Sequence, residues 1–138
     1  MKVLIDSYVL INFLSNGRSS VGLLDFQHTI DLIKICERHP QLGYVSLITL
    51  ANVDYVLYTD MPKRALLHDF LQFLQVASPE TLHVKMALNF PLPEIEDALQ
   101  LAAALQIKAD YIITYKKDSY PSSPIPIVTP TEFLALAP

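Results

Sequence analysis

At 138 residues, 51% of them hydrophobic and 17% charged, the chain has the composition of one domain with a real core, which excludes a disordered or low-complexity protein. A net charge of −4 excludes a broad basic face for gripping duplex nucleic acid and leaves carboxylates available for a cation. The lone cysteine, Cys36, excludes an intramolecular disulfide, fits a reducing cytoplasm, and reads as a small buried hydrophobe rather than a nucleophile.

In chain order, "KVLI" (2–5) is apolar on both faces and reads as a central parallel strand ended by Asp6. Tyr8 to Leu14 reads as a short helix stopped by "SNG". Ser19 or Ser20 caps a longer helix to about Arg38, with Leu23, Leu24, Ile30, Ile33 and Cys36 inward. "HPQLG" breaks it, and "YVS" (44–46) is a second strand. Ser46 or Thr49 opens a third helix through Tyr58, and "TDMP" caps a fourth over Lys63 to Val76. "TLHVK" (81–85) is the expected third strand, Glu94 to Ile107 a helix and "DYIIT" (110–114) the fourth strand. Beyond a polar loop, "IPIV" is an edge strand, because Pro126 has no N–H for a central ladder, and "PTEFLAL" is a closing helical turn.

Strands alternating with helices imply a layered α/β fold with a mostly parallel sheet, a single domain over residues 1–138. The apolar opening "MKVLIDSYVLIN" resembles a secretion signal, but Asp6 and Asn12 interrupt it and no small-residue cleavage site follows. No apolar run approaches the roughly 20 residues of a membrane span. A soluble cytoplasmic protein is expected.

Ligands of parallel α/β sheets bind beyond the carboxyl ends of the strands. Asp6 ends the first strand, and Thr114 the fourth. Asp97 opens the helix before the fourth strand and reaches that edge only if the helix crosses near the strand tips. Each acid has two readings. Asp6 can cap the helix at Tyr8, and Glu94, Glu96 and Asp97 behind Pro93 can face the positive end of a helix dipole. Alternatively, Asp6 and Asp97 converge, with Glu94 on the same helix face as Asp97 and Glu96 pointing elsewhere, solvated or paired. Two like charges in a small volume push one toward protonation unless a hard ion such as Mg2+ or Mn2+ bridges them. His28, His39, His68 and His83 show no ligand spacing, and three glycines build no phosphate loop. Ser46 after the second strand excludes a receiver domain, and Tyr8 excludes an aspartyl-phosphate phosphatase.

"MKVLIDSYVLINFL", "YVSLITLANVDYVLY", "LPEIEDALQLAAALQIKADYIIT" and "SPIPIVTPTEFLAL" together resemble the PIN domain, the small metal-dependent nuclease fold of VapBC-type toxins, along the whole chain. The resemblance implies a three-layer α/β/α sandwich and a cluster of about four acids holding divalent ions. Asp6 matches the first acidic position and Asp97 the third; Asn52 stands at the second, with Asp54 on the far side of its helix. At the fourth, Lys116 and Ser119 replace the usual residues and Asp118 falls one place early; Thr114 is retained.

The reaction so implied is hydrolysis of a phosphodiester bond in RNA. Asp6 and Asp97 hold Mg2+ or Mn2+, and Asn52, Thr114, Glu94 and Asp118 support the site. Lys116, Lys117 and Arg18 can contact phosphates, and Tyr8 and Tyr115 either stack on bases or simply pack. A homodimer, with "LLHDFLQFL" (66–74) as an apolar face to spare, and an antitoxin-type protein partner belong to the same expectation. The alternative is a catalytically inactive module that binds a partner protein or RNA, favoured by Asn52 and Lys116.

Overall fold

In the computed structural model, which describes residues 1–15, 23–56 and 62–136, strand and helix alternate. β1 (Val3–Ile5) leads into α1 (Ser7–Leu14), and α2 (Leu23–Arg38) returns to β2 (Gly43–Ser46). α3 (Leu47–Val56) and α4 (Lys63–Phe70) precede β3 (Gln75–Ala77). α5 (Thr81–Ala87) and α6 (Ile95–Ile107) precede β4 (Tyr111–Ile113). A 3-10 turn (Lys117–Ser119), β5 (Ile127–Val128) and α7 (Pro130–Leu136) follow. The strands lie in the order β3-β2-β1-β4-β5, and every neighbouring pair is parallel.

Helices cover both faces, so the fold is a three-layer α/β/α sandwich around a parallel sheet. Alternation along β1 divides the core. Val3 and Ile5 pack with Val9, Leu10, Leu32, Cys36 and Phe133, from α1, α2 and α7. Leu4 faces the other way, onto Leu101 and Ala104 of α6 and Ala87 of α5. All three β1 residues are fully buried, which is why the strand is apolar throughout rather than alternating. The stripe of α2 is Thr29, Leu32, Ile33 and Cys36, spaced by three and four residues, with Ile30 only half-buried at its margin. Ser46 caps α3: its hydroxyl accepts from the Thr49 N–H at 3.2 Å. Ser19 and Ser20, expected to cap α2, and Tyr58 lie outside the described residues.

Two expectations fail on the same stretch. The helix from Lys63 ends at Phe70, not Val76, and the third strand is Gln75–Ala77, not residues 81–85. β3 pairs with β2 through Tyr44–Gln75, Val45–Val76 and Ser46–Ala77, so an open sheet edge claims residues with no strong strand pattern of their own. Residues 81–85 are helical because Glu80 and His83 form a reciprocal capping box, and a helix turns Val84 and Ala87 together into the core. The stretch 66–74 is also not spare surface. Phe70 and Leu74 are buried, and Leu66, Leu67 and Phe73 pack against the same cluster. No helix of the described residues is long and apolar enough to cross a membrane.

Candidate active site

Since β2 and β4 flank β1, the residues at their carboxyl tips become neighbours: Ser46, Asp6 and Thr114. Asp6 caps α1 by accepting from the Ser7 N–H at 2.8 Å, so the helix-cap reading holds. The same carboxylate does more. Its Oδ2 accepts from the Thr114 hydroxyl at 2.7 Å, and its Oδ1 from Nε2 of Gln100 at 3.0 Å. Gln100 is 2% exposed, and its amide nitrogen also lies 2.8 Å from Thr49 Oγ1, while its Oε1 accepts from Ser46 Oγ at 2.6 Å. Ser7 donates to Thr49 at 3.1 Å, closing a buried polar lattice around one carboxylate. Burial pushes the Asp6 carboxyl up, opposed by the bonds from Thr114, Ser7 and Gln100 and by the charge of Lys116.

Asp97 joins it. α6 runs antiparallel to the strands and begins at their carboxyl tips, so its first turn opens beside Asp6, 91 residues away in sequence. The Asp97 carboxyl is pushed up to about 6, by burial first and then by the charges of Asp6, Glu94 and Glu96, with Lys116 opposing. It carries none of the hydrogen bonds that hold Asp6. Glu94 is the exposed N-cap residue of α6. Glu96 is exposed and paired: its Oε2 accepts from Nδ2 of Asn52 at 3.4 Å, and Asn52 also donates to Ser7 Oγ at 3.2 Å. Asn52 therefore sits at the rim, bridging α1 and α6, with Asp54 on the exposed side of α3. Asp118 lies exposed on the 3-10 turn and is not among the charges that act on Asp97.

The basic candidates divide. The Lys116 ammonium stands 3.7 Å from the ring centroid of Tyr8, which is 46% exposed, and it closes no ion pair with Asp6 or Asp97 although its charge reaches both. Lys117 is bound to both oxygens of Glu132 at 3.0 Å and so is withdrawn from the cleft. Arg18 lies outside the described residues. Tyr115 packs on α2, its hydroxyl bonded to Thr29 and to the Asp25 carbonyl, so packing is its role. Among the described residues no group of three or more His, Cys, Asp or Glu side chains is placed to hold a metal ion.

Two residues of the site escaped sequence reasoning. Gln100 had a signal: the one polar side chain inside "ALQLAAAL", a turn beyond Asp97 on the same face. Tyr120 had none. It is 3% exposed, the charges of Asp6 and Asp97 both act on its hydroxyl, and that hydroxyl closes no well-formed hydrogen bond.

A parallel sheet in this strand order, with one acid behind its central strand and another opening the helix that precedes the next, defines a class. The chain belongs to the PIN-domain family, whose model matches residues 2–118. Two solved structures are similar over nearly the whole chain. One is a toxin–antitoxin complex from Klebsiella pneumoniae, 20% identical with a TM-score of 0.65, covering 94% of this chain and 98% of that one. The other is FitAcB from Neisseria gonorrhoeae, 16% identical with a TM-score of 0.62 and the same coverage of both chains. At these identities the likeness is one of fold. Among curated proteins no relative matches.

Proposed function

We propose that the protein is a divalent-cation-dependent ribonuclease, the toxin of a toxin–antitoxin pair, with a reduced acidic site. The observation that carries this reading is that α6, the helix whose first turn holds Asp97, docks on the Asp6 carboxylate through Gln100 at 3.0 Å, which brings both acids to the same strand tips. The donor set suits a hard ion such as Mg2+ or Mn2+: two carboxylates, one immobilised, beside the amide of Asn52 at the rim. With fewer carboxylates than the family's usual cluster, affinity for the ion is expected to be lower.

When bound, such an ion polarises a phosphate and acidifies a coordinated water. Asp6 supplies an oxygen held in one orientation by Thr114, Ser7 and Gln100, which spares it reorganisation on binding. Asp97 supplies the second oxygen, from a helix start free of competing hydrogen bonds. Lys116, resting on the Tyr8 ring, is the cation of the cleft free to meet a phosphate oxygen without reading a base. In the reaction a water oxygen would bond to phosphorus and give up a proton to solvent, while the bond to the leaving ribose oxygen breaks and that oxygen takes up a proton from solvent to end as a hydroxyl.

An antitoxin-type partner is supported by the similarity in fold to the toxin–antitoxin complex from Klebsiella pneumoniae, and by apolar side chains left exposed on α3 and α5: Leu47, Tyr55, Leu82 and Met86. The same exposed faces suit a homodimer. Cleavage of single-stranded RNA is the test, with Mn2+ or chelator, for the wild type and for Asp6→Asn. Loss of cutting both in chelator and in the variant is expected. RNA binding without cutting in Mn2+ would move the protein to the inactive binding module instead.

A further inference from the structure

Gln100 is 2% exposed and lies in the apolar run of α6, beside Leu101, Ala102, Ala103 and Ala104, all fully buried. An amide taken out of water loses its hydration, so an apolar side chain would suit the position better unless the amide recovers its hydrogen bonds. Both of its ends are engaged. Nε2 donates to Asp6 Oδ1 at 3.0 Å and to Thr49 Oγ1 at 2.8 Å, with Ser7 Oγ at 3.2 Å, and Oε1 accepts from Ser46 Oγ at 2.6 Å. The neighbours also fix which way the amide faces. Asp6 already accepts from the Ser7 N–H at Oδ1 and from Thr114 at Oδ2, so the carboxylate meets Gln100 as an acceptor and the NH2 group must face it.

These bonds join α6 to the tip of β1 through Asp6, to the tip of β2 through Ser46, and to α3 through Thr49. Asp97 rides on the helix that the amide pins, three residues before Gln100 and so on the same face. Packing of Leu101 and Ala104 on Leu4 presses α6 to the sheet, but apolar contact is non-directional and does not fix the helix along or about its own axis. A short, directional bond to Asp6 itself does. One acid is thus gripped by a side chain that stands a helical turn from the other acid.

We infer that Gln100 is a positioning residue that fixes the opening between the Asp6 and Asp97 carboxylates, and so makes the site select a small, strictly octahedral cation over a larger one, Mg2+ over Ca2+. This rests on the cation reading proposed above. Mg2+ demands near-ideal octahedral geometry at about 2.0–2.1 Å, whereas Ca2+ takes roughly six to eight oxygens at about 2.3–2.6 Å in variable arrangements. With α6 pinned to Asp6, the carboxylates cannot spread to admit the longer bonds. Without the pin they can, and the smaller ion loses the arrangement it needs while the larger one adapts.

The test is titration of the wild type and of Gln100→Met with Mg2+ and with Ca2+, read by calorimetry and by the Tm gained at each ion concentration, with melting in chelator as the reference. Methionine keeps the volume and removes the hydrogen bonds. The wild type is expected to prefer Mg2+. The variant should lose about 10-fold in Mg2+ affinity with its Ca2+ affinity nearly unchanged, so that the preference falls by the same factor. A lower Tm in chelator with the preference kept is what a purely structural role gives, and it would overturn the inference. Equal weakening toward both ions would do the same, as would a wild type that prefers Ca2+; each leaves the cation reading intact. A wild type that binds neither ion would remove both. Should Gln100→Met fail to fold, Ser46→Ala decides. It leaves Gln100 in place but frees its oxygen, and the preference for Mg2+ should fall by several-fold; an unchanged preference refutes the assignment.

Discussion

Asp6 shows how one side chain can satisfy two readings of a sequence. It caps α1, and the geometry that makes it a cap also delivers it to Thr114 and Gln100. Thr114→Val removes a donor to a buried carboxylate and should destabilise the protein at neutral pH by about 1–3 kcal/mol in urea unfolding. Asp97 sets a pH dependence. Its folded pKa is raised from 3.8 to about 6, so the folded state holds the proton more tightly than the unfolded state. Stability from this group is therefore full below about pH 4, falls as the pH rises through about 6, and stays low above that. Asp97→Asn, measured in chelator, should be more stable than the wild type at pH 8, with the difference vanishing toward pH 4. A difference constant with pH would mean the charge of Asp97 is not the cause. Lys116→Met, which removes the ammonium that now offsets both acids, should tighten Mn2+ binding by several-fold, roughly the 1 kcal/mol of a solvent-screened charge pair at close range.

At the scale of elements, β1, α6 and β4 were legible because their signals are local: a wholly apolar strand and a long helix opened by Pro93 and acids. β3 and α5 were not, because "QVA" and "TLHVK" are too short for periodicity to separate strand from helix, and sheet pairing and a capping box decided them. Gly43 marks the tightest junction. A Cβ there would stand 2.6 Å from Leu74 Cδ2 and 2.9 Å from Cys36 Sγ, where α2 and the end of the α4 segment meet the start of β2. Gly43→Ala should cost about 1–3 kcal/mol by overpacking, read as a lowered Tm. An unchanged Tm would show that Leu74 and Cys36 yield freely.

For the whole molecule, the net charge of −4 bounds how RNA can be held. With Lys117 engaged by Glu132, Lys116 is the basic side chain the described cleft offers. Affinity for single-stranded RNA should therefore fall only gently with salt, by a log–log slope of about −0.7 to −1.5, equivalent to one or two phosphates. A slope of several units in filter binding would require a basic surface elsewhere on the molecule.

The amino-acid order alone determined the alternation of strand and helix, the acids at Asp6 and Asp97 and the family they resemble, since each is written in neighbouring residues or in a short period. Tertiary structure decided the rest. Only the parallel sheet sets Ser46, Asp6 and Thr114 side by side, and only the return of α6 brings Asp97, Gln100 and Glu96 to them. Desolvation, which turns a glutamine into an anchor and leaves a tyrosine hydroxyl without a partner, comes from packing between segments about a hundred residues apart, and no local pattern encodes it.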